Sequence, residues 1–129
     1  MKNLISTGLG AILTTVIYLL GGLDIALKSL LILIVIDYLT GVGMAIYNKK
    51  LNSKIGAKGI VKKVMYLLVV AVAVVIDNLT GESGVIRTLV IYFFVANEGI
   101  SIIENLGKMN IPLPQKLLDT LEQLKKKGE

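Results

Sequence analysis

The sequence contains no cysteine and no histidine. Without cysteine the chain has no disulfide, no thiol nucleophile and no thiolate ligand for a metal. Without histidine it lacks the usual general base at neutral pH and the commonest metal ligand. Its carboxylates stand at no recognisable motif spacing from a nucleophile, a base or a metal ligand. We therefore expect a protein that is not an enzyme and that carries no metal and no cofactor.

Residue types that commonly bind the bases and phosphates of nucleic acids are also scarce. The chain has no tryptophan, two phenylalanines and, among its 14 basic residues, a single arginine, Arg87. Aromatic rings supply the stacking platforms for bases, and a guanidinium group is a better fork for phosphate than an ammonium group. The net charge of +5 therefore indicates membrane orientation and attraction to an anionic lipid bilayer, with no nucleic-acid partner.

Apolar residues dominate what is present. They make up 54% of the 129 residues, and the mean hydropathy is +0.76, which is too apolar for a soluble domain of this size. Four segments approach the roughly 20 residues that a helix needs to cross a bilayer. The sequence predicts a single domain, 1–129, that folds as an all-α integral membrane bundle with four transmembrane helices, or three if the first lies on the membrane surface. The predicted spans are about 4–23, 29–47, 62–80 and 85–103.

A basic segment separates the second and third predicted spans. Residues 48–61 and the two lysines that follow contain no acidic residue. Because positive charge beside membrane spans stays on the cytoplasmic side, we expect 48–61 to be a basic cytoplasmic loop, and both termini to be cytoplasmic if there are four spans. The residues predicted to lie at the membrane surface and set the topology are Lys49, Lys50, Lys54, Lys58, Lys62, Lys63, Lys125, Lys126 and Lys127.

The last part of the chain, residues 104–129, is predicted to be a cytoplasmic tail. Pro112 and Pro114 prevent the fourth helix from continuing unchanged. A further helix is predicted at about 113–127, because its leucines fall on one face and lysines close its end, favourably for the helix dipole. This pattern fits an amphipathic helix on anionic lipid, a contact between subunits, or a partly ordered solvated tail.

Polar residues inside the predicted spans mark the candidate site. Asp37 is costly in hydrocarbon and is expected to face protein or water. Gly41 and Ala45 form a pair of small residues on which another helix can pack. Glu98 lies within reach of Lys62 or Lys63 near the inner surface. The residues predicted to act in oligomerisation or in lining a pore are Asp37, Tyr38, Thr40, Gly41, Gly43, Ala45, Asn97, Glu98, Gly99 and Ser101. The alternative for these clusters is a hydrogen-bonded anchor with no active role.

Several motifs stand in a fixed order along the chain. They are Asp37-Tyr38-x-Thr40-Gly41, Asn48-Lys49-Lys50-Leu51 with Ile55-Gly56-x-Lys58-Gly59, Ala96-Asn97-Glu98-Gly99-Ile100-Ser101-Ile102-x-Glu104-Asn105, and Ile111-Pro112-Leu113-Pro114 before the closing leucine helix. Together they resemble the phage-lysis and toxin-secretion holins of Gram-positive bacteria and their phages. The resemblance covers roughly residues 29–125 and leaves the first span outside it.

The resemblance implies a holin of the bacterial cytoplasmic membrane. Such proteins accumulate as homo-oligomers and open lesions, through which an endolysin or a folded toxin escapes as a passenger without required direct contact. Two other functions stay open. A small four-span transporter or ion channel would have to use Asp37 or Glu98 as its membrane carboxylate. An antiholin-type regulatory partner would instead act on the pore of another protein.

Overall fold

The computed structural model describes residues 1–128, which form five α-helices and no strand. Helices α1 to α4 are each long and apolar enough to cross a membrane. This confirms the predicted all-α class with four candidate membrane helices and a separate C-terminal amphipathic helix. The helices are α1 (Lys2–Leu19), α2 (Ile25–Tyr47), α3 (Ser53–Thr80), α4 (Val85–Gly107) and α5 (Gln115–Gly128).

Local sequence signals mark the ends of the helices. Asp24 caps α2 by accepting a hydrogen bond of 3.0 Å from the backbone N–H of Leu27. Asn52 caps α3 in the same way, at 2.9 Å from the N–H of Lys54. Because α3 begins directly after Asn52, much of the basic segment 48–61 is helical. Gly81 ends α3 with a φ of 73°, a left-handed conformation that glycine adopts without strain.

Helix α4 is the centre of the bundle. Helices α2, α3 and α5 all pack against it, whereas α1 has no extensive contact with another helix and no buried residue. The ring of Tyr66 in α3 stacks on that of Phe94 in α4 with 4.3 Å between the ring centres. The apolar core consists of Leu20, Leu27, Leu30, Val70, Ile91 and Phe94.

Most large apolar side chains point away from this small core. Ile32, Val35, Leu68 and Val72 are each about half exposed on the outside of α2 and α3. An apolar surface of this extent would be a liability in water, but it is the surface that lipid chains cover around a membrane bundle. The bundle therefore buries little except the residues that join its helices, and several of those are charged.

Candidate functional site: buried charges between the helices

One lysine joins three helices in the half of the bundle that contains the connection between α2 and α3. Lys63 of α3 donates to Asp37 Oδ2 of α2, and it donates to Glu98 Oε2 of α4 at 2.7 Å. Asp37 is 7% exposed and Glu98 only 2%. Isolated charges are strongly disfavoured in a low-dielectric interior, so each carboxylate is held there by the ammonium group that it meets. We call Asp37, Lys63 and Glu98 the inner ionic cluster.

Asn105 and Thr40 complete the polar environment of Asp37. Asn105 Nδ2 donates to Asp37 Oδ1 at 3.0 Å and to Thr40 Oγ1 at 3.1 Å, which links the end of α4 to α2. Thr40 in turn donates to the backbone carbonyl of Asp37 at 3.0 Å. Within residues 1–128 no buried side-chain nitrogen or oxygen lacks a hydrogen-bond partner. The polar cluster is thus fully satisfied, a condition that low-dielectric surroundings make essential.

A cavity opens beside the inner ionic cluster. It has a volume of about 710 Å³ and extends from Glu98 to the connection between α2 and α3 at residues 50–52. Its walls come from α2, α3, α4 and α5, and they combine apolar side chains with amide, carboxyl and ammonium groups. Lys125 of α5 lines this cavity together with Asp37 and Glu98. The inner ionic cluster has two carboxylates for one ammonium group, and Lys125 brings a second ammonium group to the same space.

A second charged cluster lies at the other end of the bundle. Arg87 Nη1 of α4 donates to Asp24 Oδ2 at 2.7 Å, and its Nε donates to the carbonyl of Leu20 at 2.6 Å. A third bond of 3.0 Å runs from Nη2 to the carbonyl of Gly22. The hydrogen bonds from Arg87 lower the pKa of Asp24 from 3.8 to about 2. Arg87 therefore ties the connection between α1 and α2 to α4.

Asp77 of α3 stabilises the same end of the bundle by capping the first turn of α4. Its carboxylate accepts hydrogen bonds of 2.9 Å from the backbone N–H groups of Ile86 and Arg87, in the first turn of α4. A helix N-terminus leaves such N–H groups without partners and carries a partial positive charge, so a carboxylate is stabilising there. Sequence reasoning missed both Asp24 and Asp77, although each stands at the predicted outer end of an apolar segment, as Arg87 does.

Helix α5 folds back along α4 in the antiparallel direction. A Cβ atom built on Gly99 would lie 2.6 Å from Leu121 Cδ2, and one built on Gly128 would lie 2.8 Å from the Cα of Phe93. Only glycine permits so close an approach at these two points. The lysines at the end of α5 consequently lie alongside the middle of α4. A lysine in the centre of a membrane costs about 2.5–3.5 kcal/mol on insertion scales.

Most of the residues predicted for the site come together around the cavity. Its lining includes Asp37, Tyr38, Gly41, Ala45, Asn97, Glu98 and Ser101, and the lysines Lys50, Lys62, Lys63 and Lys125. Gly99 is instead buried against α5, and Gly43 has no neighbour within 4 Å of a Cβ built on it. Lys49, Lys54, Lys58, Lys126 and Lys127 are exposed. In the part of the chain that the structure describes, no cluster of acidic side chains has the composition of a metal site.

Four apolar helices with charged side chains paired between them are the features of a multi-pass membrane protein. The model of the bacteriophage holin family matches residues 14–126. The chain therefore belongs to the bacteriophage holin family and is a non-enzymatic membrane protein. The match begins inside α1, so the expectation that the first span lies outside the resemblance is wrong: part of α1 belongs to the shared sequence.

Curated relatives agree with this assignment. The chain is 43% identical to an uncharacterised 14.9 kDa protein of Clostridium perfringens, over 97% of this chain and 96% of that one. It is 36% identical to an uncharacterised protein of Halalkalibacterium halodurans, with 97% and 96% covered. It is also 39% identical to a probable holin of Bacillus phage phi105, over 74% of this chain and 70% of the phage protein. No solved structure matches the chain.

Proposed function

We propose that this protein oligomerises in the bacterial cytoplasmic membrane and opens lesions that release an endolysin or a folded toxin. The observation that carries the proposal is the cavity of about 710 Å³, which begins at buried charges between membrane helices and combines apolar walls with charged and amide groups. A wall that contains amide, carboxyl and ammonium groups can face water, whereas the opposite sides of α2 and α3 are apolar and suit lipid. A ring of such subunits would turn the polar side inward and the apolar side outward.

We also propose that the protein assembles with copies of itself and needs no direct contact with the protein that it releases. The released enzyme or toxin needs only an opening in the membrane. Anionic lipid is the proposed environment of the oligomer, because it attracts the basic segment. Both termini are proposed to be cytoplasmic, because Lys2, the basic segment and the tail carry most of the positive charge, while Lys28 and Arg87 flank the opposite ends of the helices. Impermeant thiol reagents tested on single cysteines introduced at Lys2 and Lys28 would report these two sides.

The proposal is tested by the turbidity of bacteria that express this chain together with a cytosolic muralytic enzyme lacking a secretion signal. Abrupt clearing after a delay, requiring both proteins, is the expected result, because only an opening wide enough for a folded protein lets the enzyme reach the wall. Expression of either protein alone is the control. Loss of membrane potential without clearing would replace the proposal with an ion-sized channel. No effect on either quantity would favour a regulatory partner.

A further inference from the structure

Helix α5 has two unlike faces. Leu118, Leu121, Leu124 and Lys125 are partly buried, and Leu121 fits against Gly99 of α4. The spacing of these positions is that of one helical stripe. The other face is charged and exposed over the whole helix; it consists of Lys116, Asp119, Glu122, Gln123, Lys126 and Lys127. Helix α5 thus presents one surface to α4 and one to water.

The position of α5 conflicts with an intact bilayer. Gly128 meets Phe93, which lies eight residues from the start of α4, or about 12 Å along a helix of about 35 Å. If α4 crosses the roughly 30 Å of hydrocarbon, Phe93 lies near its middle. Lys126 and Lys127 would then extend into lipid at a depth where charged side chains are excluded. Water must therefore reach this side of α4 whenever α5 is docked on it.

We propose that docked α5 is the segment that lines the aqueous side of the lesion, and that it lies on the cytoplasmic membrane surface while the bilayer is intact. This inference rests on the proposed function, since it needs a lesion to line. In the docked state the charged face of α5 meets water and its leucine stripe covers α4. In the undocked state the same amphipathic helix lies in the interface, with its lysines among anionic headgroups.

Two contacts favour the docked position as a specific state. Gly99 forms a notch in α4 that receives Leu121, so that the two helices approach closely at this point. Lys125 reaches the cavity that Asp37 and Glu98 also line, where the inner ionic cluster has one ammonium group fewer than carboxylates. The fit of Leu121 against Gly99 and the charge of Lys125 therefore both favour docking of α5 on α4.

The experiment uses the absence of natural cysteine. The double variant Gly99→Cys with Leu121→Cys places two thiols where a Cβ on residue 99 lies 3.4 Å from Leu121 Cγ. Purified protein is reconstituted in vesicles of phosphatidylethanolamine and phosphatidylglycerol that hold a fluorescent dye. If the proposed function holds, the vesicles should retain the dye at low protein density and release it at high density. A membrane-permeable oxidant is applied in both conditions, and disulfide yield is measured on gels.

We expect a disulfide yield at least roughly tenfold higher in vesicles that release dye than in vesicles that retain it. An equal yield in both conditions, or a higher yield in vesicles that retain the dye, would overturn the inference. A higher yield there would mean that α5 is docked on α4 in the intact bilayer and undocks before the lesion opens. Failure to release dye at any density would remove the proposed function as well, so the two failures are distinguishable. Helix content from circular dichroism shows whether each variant is folded.

Matched variants separate docking from chance collision. Gly99→Cys with Leu121→Ala and Glu122→Cys leaves the same room beside residue 99 but puts the second thiol on the exposed face of α5, and it should give little disulfide in either condition. Replacing Lys126 and Lys127 with leucine in the 99/121 pair should raise the disulfide yield in dye-retaining vesicles. No rise there would mean that the lysines do not keep α5 undocked.

Discussion

Lys63 Nζ and Glu98 Oε2 lie 2.7 Å apart and join α3 to α4. Because Lys63 also donates to Asp37 of α2, the three helices share one cation. Loss of that cation would leave two buried carboxylates facing each other. The cluster therefore holds the helices as a unit, and it stabilises one arrangement of the bundle against others.

We expect Lys63→Met to lower the free energy of unfolding by about 3–5 kcal/mol, because removing one partner of a buried ion pair leaves the other charges uncompensated. Titration of the purified protein from mild detergent into sodium dodecyl sulfate, followed by circular dichroism, measures this change. Lys62→Met is the matched control: Lys62 is exposed, and its replacement should change stability by less than about 0.5 kcal/mol. Equal effects of the two substitutions would contradict the role given to Lys63.

The neutral triple variant Lys63→Met, Asp37→Asn and Glu98→Gln should recover much of the lost stability. Replacing a whole buried ionic cluster with groups of similar size removes the cost of burying charge, whereas replacing one member does not. The same detergent titration measures the recovery. A triple variant as unstable as Lys63→Met would mean that the loss arises from packing and not from uncompensated charge.

Asp37→Asn alone is expected to change the onset time or the extent of permeabilisation without preventing membrane insertion. The amide keeps the size of the side chain but removes the charge that Lys63 neutralises. A potential-sensitive dye gives the onset time, and resistance to carbonate extraction reports insertion. Glu82→Gln makes the same chemical change at an exposed turn and should leave the onset unchanged. Failed insertion of Asp37→Asn would identify Asp37 as purely structural.

The pair formed by Asp24 and Arg87 should make stability depend on acid pH. Arg87 lowers the pKa of Asp24 from 3.8 to about 2, so the stabilisation is fully present above pH 3.8 and is lost as the pH falls towards 2. Since the Asp24 side chain is 51% exposed, solvent screening limits the effect to about 1 kcal/mol or less. The difference in stability between the natural chain and Asp24→Asn, which still caps α2, should shrink over this range. A difference that is constant with pH would contradict the pairing.

The sequence predicts the helices better than it predicts their contacts. Hydropathy and length are enough to predict the all-α class. The high cost of Asp37 in lipid predicts that it faces protein or water, and the position of Glu98 predicts a lysine partner; in the structure both carboxylates meet Lys63. The sequence alone does not show whether Lys62 or Lys63 is the partner of Glu98. Neighbouring residues on a helix differ by about 100° in direction, and the rotation of α3 about its axis depends on packing.

Contacts between segments that lie far apart in the sequence are harder to predict than the helices themselves. In the sequence Asn105 stands out only as part of a motif, and its hydrogen bond to Asp37 depends on where the end of α4 meets α2. The leucine stripe of α5 fits anionic lipid, a contact between subunits and a solvated tail, so it does not identify a partner within the same chain. The choice of α4 as that partner follows from the notch at Gly99, a shape that hydropathy does not describe.

The most direct test of the account is the size of what purified protein releases from vesicles. Vesicles of phosphatidylethanolamine and phosphatidylglycerol are loaded with both a small dye and a folded fluorescent protein, and the protein density is raised stepwise. The account predicts that dye and folded protein are released together above one threshold density, because assembled subunits enclose a wide aqueous lesion. Release of dye alone at every density would contradict it and would leave a narrow channel.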